Sequence, residues 1–291
     1  MPKFIALLAS GTAQGAIVAL AALGFLLIYK ATGVVNFAQG DLITLGAYLA
    51  VWTTAELGLS WLPGYALAIA AMFVIGVLLE RVAYAPLRGR SVHVVVIATL
   101  GAALVMRTAI GIWQGTRPKY LTSPVASRVW RVGGAAVALQ RVVIVVVTLV
   151  VVALVLWVFQ RTAVGRQLRA VAADWETARL YGVRVNRLSM AAFGTSAALA
   201  GLAGVLIGPL GSVDQNLGFG VMLGGFAAAI LGGFGNLIGV VVGGFLLGVT
   251  EQVVGGYWVR TYKSALPFVL MILVIAVRPQ GLLTRGAGER L

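Results

Sequence analysis

The chain contains no cysteine and has few of the side chains on which most enzymes depend. Its 291 residues include one histidine and eight acidic residues. The absence of cysteine excludes disulfides, thiolate metal sites and a cysteine nucleophile. His93 cannot form a metal site alone. With so few titratable groups, an enzyme is the weakest hypothesis for this sequence.

The motifs of nucleotide hydrolysis and acyl transfer are also missing. No lysine follows a glycine anywhere in the sequence, so the phosphate-binding loop GxxxxGK[ST] is absent. The sequences GxSxG and HExxH are absent as well. We therefore expect no ATP site, metal or cofactor in this chain.

Charged residues are scarce, at 10% of the chain, while 60% of the residues are hydrophobic and the mean hydropathy is +1.01. Soluble domains have about 25% charged residues. The net charge of +14 is scattered as short arginine clusters between long apolar stretches, which is typical of membrane spans and loops rather than of nucleic-acid binding. These features predict an all-α integral membrane protein. We expect a polytopic bundle of about eight to ten transmembrane helices, some of them broken or re-entrant.

Nine apolar stretches are candidates for these segments, since a helix needs about 20 apolar residues to cross the bilayer core. They are Phe4–Tyr29, Phe37–Ala55, Leu62–Tyr84, Val92–Trp113, Val142–Phe159, Leu188–Leu210, Phe219–Phe234, Ile238–Val254 and Ala265–Val277. The second is interrupted by polar residues, and the seventh and ninth are short.

The arginines suggest how the chain is oriented. With nine crossings, the connections near Arg88 and over 161–187, together with the tail containing Arg285 and Arg290, fall on one side. An excess of Lys and Arg predicts that this side is cytoplasmic and the N-terminus is outside. Lys3 and the basic 114–141 connection do not fit this orientation.

The 161–187 connection is predicted to contain an amphipathic helix. Its small or apolar residues recur at spacings of three or four: Leu168, Val171, Trp175, Ala178 and Gly182. Such a helix can lie on the lipid headgroups or dock a cytoplasmic partner, and composition alone leaves both interpretations open.

Polar residues within the apolar stretches are candidates for a solute pathway or gate, because charges at membrane depth are usually functional or paired. Asn36, Gln39 and Asp41 open the second stretch, and Glu251 lies near the end of the eighth. Asp41 can equally act as a helix N-cap. Glu80 beside Arg81 is interpreted as an interfacial ion pair. Arg107 requires a partner or access to an interface.

Glycine is abundant, with 38 residues. Many lie four residues apart, as in Gly220/Gly224 and Gly244/Gly248. In membrane helices this spacing predicts close helix packing, and glycine-rich breaks can also line a cavity.

Several stretches, in order along the chain, resemble the permeases of branched-chain amino-acid ABC importers. The resemblance is carried by the stretches Gly11–Ala50, Glu80–Arg88, Gly165–Arg187, Ala197–Gly208, Ala228–Gly248 and Arg278–Leu283. Ala85 departs from the family pattern, which has arginine there. The length is similar to that of the shorter permease type.

The resemblance implies a multi-pass subunit in the bacterial inner (cytoplasmic) membrane, with the whole chain as one permease domain and 161–187 as its cytoplasmic coupling loop. The implied partners are a second permease of different sequence, two ATPases that bind ATP and Mg²⁺, and a periplasmic or lipid-anchored substrate-binding protein. Permeases of this type also serve other amino acids, short amides and urea.

The resemblance also implies which residues couple the permease to its ATPases. These are Gly165, Arg166, Arg169, Asp174, Trp175, Glu176 and Gly182. An alternative from another class is an ion-coupled transporter or channel that uses Asp41 and Glu251, although the coupling-type loop argues against it.

Overall fold

The computed structural model describes residues 2–125, 128–257, 265–278 and 281–282. Arg285, Arg290 and half of the Arg278–Leu283 motif lie outside these residues. Within the described chain, six helical segments are long and apolar enough to cross a membrane. The long helices are α1 (Pro2–Thr32), α3 (Trp61–Leu79), α4 (Val92–Gln114), α5 (Leu139–Arg161), α8 (Val185–Ile207) and α10 (Leu237–Tyr257).

Shorter elements complete the fold. The short apolar helices are α2 (Gln39–Val51), α9 (Leu217–Gly232) and α11 (Leu266–Val277). The short helices of the 161–187 connection are α6 (Ala163–Ala173) and α7 (Trp175–Leu180). A hairpin of β1 (Val129–Val132) and β2 (Ala135–Ala138) precedes α5. These bounds confirm the polytopic α-helical class and match all nine apolar stretches to within a few residues.

Helix α1 forms the centre of the bundle. Its apolar residues from Ala16 to Leu26 are almost completely buried, and it packs against α8, α9 and α10. A Cβ on Gly248 would overlap the backbone of Gly15, so this contact requires glycine. The predicted close packing is therefore found at Gly248, whereas Gly220 faces open space.

Helices α3, α4 and α5 form the outside of this chain. In the most apolar part of each, only 22% of the residues are buried. Helix α3 packs on α8, and α2 fills the space between α8, α9 and α4. Two helices continue into π-helical turns, α2 at Trp52–Glu56 and α3 at Glu80–Tyr84.

The β-hairpin was not predicted from the sequence. Its strands pair antiparallel, with Val132 opposite Ala135, and the turn between them is Gly133-Gly134. Both glycines have positive φ, at 56° and 79°, which a tight two-residue hairpin turn requires. A Cβ on Gly133 would contact Ile5, so the hairpin lies beside the start of α1.

The loops between the helices lie at two opposite ends of the bundle. At one end Arg88 donates to Asn186, and a cavity of about 390 Å³ is lined by residues that include Phe159, Arg169 and Asn236. The Lys/Arg excess predicts that this end is cytoplasmic. At the opposite end the backbones of Lys119 and Val213 form an antiparallel β-bridge, and the Lys3 ammonium lies 4.5 Å from the Tyr257 ring.

Candidate functional site

Helix α2 begins inside the bundle rather than at a membrane surface. Gln39 is fully buried and accepts a hydrogen bond of 3.1 Å from the Ser196 hydroxyl, which also contacts the Gly24 carbonyl at 2.9 Å. Gly24 lies eight residues before the end of α1, about 12 Å along a helix. The chain therefore turns back into the bundle after α1, as a broken or re-entrant segment does.

The turn before α2 is held by side-chain hydrogen bonds. The buried Asn36 accepts from the Ala38 backbone N–H at 3.1 Å, while its own amide nitrogen has no partner. The Phe37 N–H donates to the Thr99 hydroxyl of α4 at 3.3 Å. Asn36 and Gln39 thus lie together at membrane depth, as predicted for pathway candidates, and their role in transport stays a prediction.

Asp41 forms an ion pair with Arg107 of α4. The Arg107 Nε donates to Oδ1 at 2.9 Å, and Nη2 donates to Oδ2 at 3.5 Å. Arg107 is fifteen residues from the start of α4, about 22 Å along the helix, so the pair lies well inside the bundle. The N-cap interpretation of Asp41 is wrong: Ala38 occupies the cap position, and Asp41 lies in the first turn.

Helix α9 begins at the same level as this ion pair. The Gly218 N–H donates to the Thr44 hydroxyl of α2 at 3.0 Å. A Cβ on Gly218 would overlap the Gly40 carbonyl, so only glycine allows the two helix starts to meet. The next residue, Phe219, places its ring 5.8 Å from the Arg107 guanidinium. The starts of α2 and α9 therefore meet beside the Asp41–Arg107 pair.

Aromatic rings continue from this site toward the cytoplasmic end. Phe226 of α9 contacts Phe37, Phe25 and Phe234, with ring centroids 5.8–6.1 Å apart. Phe234 in turn lies 4.9 Å from Tyr29. The half-exposed rings give the face of α9 an apolar lining below the polar site.

Glu251 is separate from these residues. It lies partly buried six residues before the end of α10. The polar site described above is built from α1, α2, α4, α8 and α9. Glu251 therefore remains a candidate without a place in that site.

The start of the 161–187 connection is packed tightly against α5. Thr162 caps α6 by accepting from the Gly165 N–H at 3.2 Å. A Cβ on Gly165 would overlap the Phe159 carbonyl. Arg169 donates to that carbonyl and lies 5.6 Å from the Phe159 ring, while Lys30 of α1 lies 5.5 Å from the same ring. Gly165 and Arg169 thus join α6 to α5 and α1.

Asp174 divides the predicted amphipathic helix into two. Its carboxylate accepts from the Glu176 and Thr177 backbone N–H groups at 2.9 and 3.1 Å and from the Thr177 hydroxyl. The Thr177 hydroxyl and N–H, followed by the Glu176 N–H, lower the pKa of Asp174 below its ordinary value. Gly182, with φ of 82°, ends the unit in a conformation that favours glycine.

The expected apolar face is only partly correct. Leu168, Val171 and Ala178 are buried, but Trp175 is 51% exposed because the break at Asp174 turns α7 away from the line of α6. Arg166 and Glu176 are exposed too. Leu180 and Tyr181 are 88% and 85% exposed, so the end of α7 presents an apolar surface that the sequence pattern did not indicate.

A second ion pair was assigned incorrectly from the sequence. Glu80 bonds to Arg88 rather than to its neighbour Arg81, and it is fully buried rather than interfacial. Arg88 also donates to Asn186, at the start of α8. The turn over 85–91 folds the chain back onto α8, and no sequence periodicity indicates such a turn.

Comparisons with known proteins agree with this architecture. The family model described as "Branched-chain amino acid transport system / permease component" matches residues 7–275. The permease protein LivH of Salmonella typhimurium, named for high-affinity branched-chain amino acid transport, is 33% identical over 99% of this chain and 97% of its own length. BraD of Pseudomonas aeruginosa, with the same description, is 32% identical over 97% and 96%. A probable LivH of Methanocaldococcus jannaschii is 27% identical over 90% and 87%.

Proposed function

Because this chain belongs to the family of permease components of branched-chain amino acid transport systems, we propose that it forms part of the transmembrane pathway of an ABC importer for branched-chain or related amino acids. Its relatives LivH and BraD, which match it over nearly their whole lengths, are named for that transport. This family membership favours neither the ion-coupled transporter nor the urea and short-amide alternatives.

The observation that carries the proposal is the connection of α6 and α7 to the membrane helices. Gly165 and Arg169 hold α6 against the end of α5, and Lys30 of α1 contacts the same Phe159 ring. A displacement of α6 is therefore passed to α5 and to α1, the centre of the bundle. This is the mechanical link that an importer driven by separate ATPases requires.

The exposed end of α7 supplies a surface for those ATPases. Trp175, Leu180 and Tyr181 present a large exposed apolar area on and after α7, and Arg166 and Arg169 are exposed on the preceding helix α6. Aromatic residues and arginine are enriched at protein interfaces. We therefore assign ATP and Mg²⁺ to two partner ATPases, which dock here and on a second permease, and substrate delivery to a binding protein at the opposite end.

The helices α2 and α9, which begin inside the bundle, indicate where the solute pathway runs in this proposal. Irregular backbone at membrane depth is tolerated only where protein or a cavity covers it. Helices α2 and α9 both begin at the Asp41–Arg107 pair, and the aromatic face of α9 leads from there toward the cytoplasm. Solute would pass along this face, between this chain and the second permease.

The test is uptake of labelled leucine into proteoliposomes that contain the complete set of subunits. We expect uptake that requires ATP, the binding protein and the ATPases, and none with this chain alone. Uptake by the chain alone in response to an ion gradient would instead support an ion-coupled transporter and contradict the proposal.

A further inference from the structure

The guanidinium of Arg107 is a half-exposed cation held by a buried anion. The Arg107 side chain is 36% exposed, whereas that of Asp41 is only 4% exposed. Asp41 accepts two of the five N–H groups of the guanidinium. Within the described chain no other hydrogen bond to Arg107 is found, so three donors remain on the exposed side of the ion pair.

Phe219 covers part of the same guanidinium and is itself 47% exposed. It starts a stripe on α9 that continues through Leu223 and Phe226 at helical spacing, each of them half-buried. A cationic group that donates hydrogen bonds therefore lies directly beside an open apolar surface. Arginine offers a planar fork that matches a carboxylate.

Lipid is a poor occupant for this face. Arg107 lies seven residues, about 10 Å, before the end of α4 and within its apolar stretch, where a charge facing hydrocarbon is costly. The local charge also favours an anion, because the one buried carboxylate is already paired with an arginine and the positive N-terminal ends of α2 and α9 lie nearby. A second carboxylate can therefore enter without facing a net negative site.

We propose that Arg107 and Phe219 form a transient binding site for a carboxylate-bearing solute on its way through the membrane. The free N–H groups of Arg107 bind the α-carboxylate, and Phe219 contacts the aliphatic side chain. This inference rests on the proposed function and narrows its substrate class. A pathway with this site favours amino acids over urea and neutral amides, which have no carboxylate for the arginine to bind.

A photo-crosslinking experiment tests the contact directly. Phe219 is replaced by p-benzoylphenylalanine in the complete importer, which is illuminated during ATP-driven uptake of radiolabelled leucine. We expect labelling of this chain that depends on ATP. Leu154 of α5, 57% exposed on the outside of the bundle, is the matched control position and should remain unlabelled.

Charge variants test the role of the guanidinium. The double variant Asp41→Asn/Arg107→Gln removes both charges and leaves no buried ion unpaired. We expect it to lower leucine uptake by about tenfold, the loss of one charge-assisted hydrogen bond, while ATP hydrolysis stimulated by the binding protein persists. Arg107→Lys, which keeps the charge but loses the planar fork, should be intermediate.

The possible outcomes separate this inference from the proposed function. Wild-type uptake without labelling at position 219, or with crosslinking only to the second permease, overturns the binding site and leaves the importer function standing. The same conclusion follows if the double variant imports leucine at the wild-type rate, or if hydrolysis falls in parallel with uptake, as a structural ion pair predicts. Failure of the wild-type assembly to import amino acids overturns both.

Discussion

At the scale of single residues, Glu80 shows how the fold holds a carboxylate away from water. It is completely buried where α3 passes into a π-helical turn, and one of its oxygens has no partner. Arg88 bonds the other oxygen and also reaches Asn186. This contact links the end of α3 to the start of α8, directly after the 161–187 connection.

Replacing Glu80 by glutamine should destabilise the protein, because Arg88 then loses its counter-ion while an amide must be buried in its place. We expect a loss of about 1–3 kcal/mol, measured as a lower midpoint of thermal unfolding in detergent. Glu56→Gln is the matched control: Glu56 pairs with Lys119 at 3.1 Å, but its side chain is 47% exposed. Exposed pairs contribute about 0–1 kcal/mol, so equal effects of the two variants would contradict this interpretation.

The sequence identified charged residues of interest but not their partners. Asp41, Glu80 and Arg107 all stand out as charges within apolar stretches. Their partners depend on how the chain returns on itself: Asp41 and Arg107 are 66 residues apart, and Glu80 meets Arg88 only because the chain turns after α3. Contacts of this kind are set by tertiary packing, which no local pattern encodes.

At the scale of elements, α7 depends on the cap that Asp174 provides. Asp174→Ala removes the acceptor for two backbone N–H groups, whereas Asp174→Asn keeps an oxygen in the same position. If α6 and α7 transmit ATPase motion, the alanine variant should lower both uptake and substrate-stimulated ATP hydrolysis, and the asparagine variant should retain most of each. Normal coupling in the alanine variant would remove α7 from the mechanism.

The pH dependence of this cap follows from the lowered pKa of Asp174. A depressed pKa in the folded state means that the stabilising contribution is present above the ordinary pKa and is lost as pH falls through the lowered value. The carboxylate therefore stays ionised between about pH 5 and pH 8. Across that range, the difference in ATP hydrolysis between wild type and Asp174→Ala should stay constant.

Glycine contacts between α1 and α10 provide a second test at this scale. A side chain on Gly248 would overlap the Gly15 backbone, whereas a Cβ on Gly101 of α4 meets nothing within 4 Å. Gly248→Leu should therefore separate the helices and lower the yield of folded protein, while Gly101→Leu should be tolerated. Similar yields, measured by size-exclusion chromatography in detergent, would show that the α1–α10 contact is not essential.

Long apolar stretches predicted the helices well because burial in lipid requires both length and hydropathy. The same signal could not find the break at Asp174, since a capping carboxylate and a helical carboxylate look alike in sequence. It also missed the β-hairpin, whose strands are only four residues long on either side of the Gly133-Gly134 turn. Short elements fixed by capping or turn geometry are the ones that periodicity does not reveal.

At the scale of the whole molecule, the architecture separates the end that carries α6 and α7 from the buried polar site around Asp41. Helix α1 runs through the centre and contacts α8, α9 and α10. At one end it reaches Phe159 and the coupling helices through Lys30. Six residues from Lys30, about 9 Å deeper, Gly24 lies beside Gln39 at the start of α2. A single helix therefore connects the end that carries α6 and α7 to the polar site.

The absence of cysteine allows the orientation of the chain to be tested without a background signal. Tyr181 and Tyr120 are matched positions, 85% and 75% exposed at opposite ends of the molecule. If the arginine-rich end is cytoplasmic, a membrane-impermeant maleimide added to spheroplasts should label Tyr120→Cys and should label Tyr181→Cys only after permeabilisation. The reverse pattern would place α6 and α7 outside, where no ATPase can reach them, and the mechanism of coupling proposed here would fail with it.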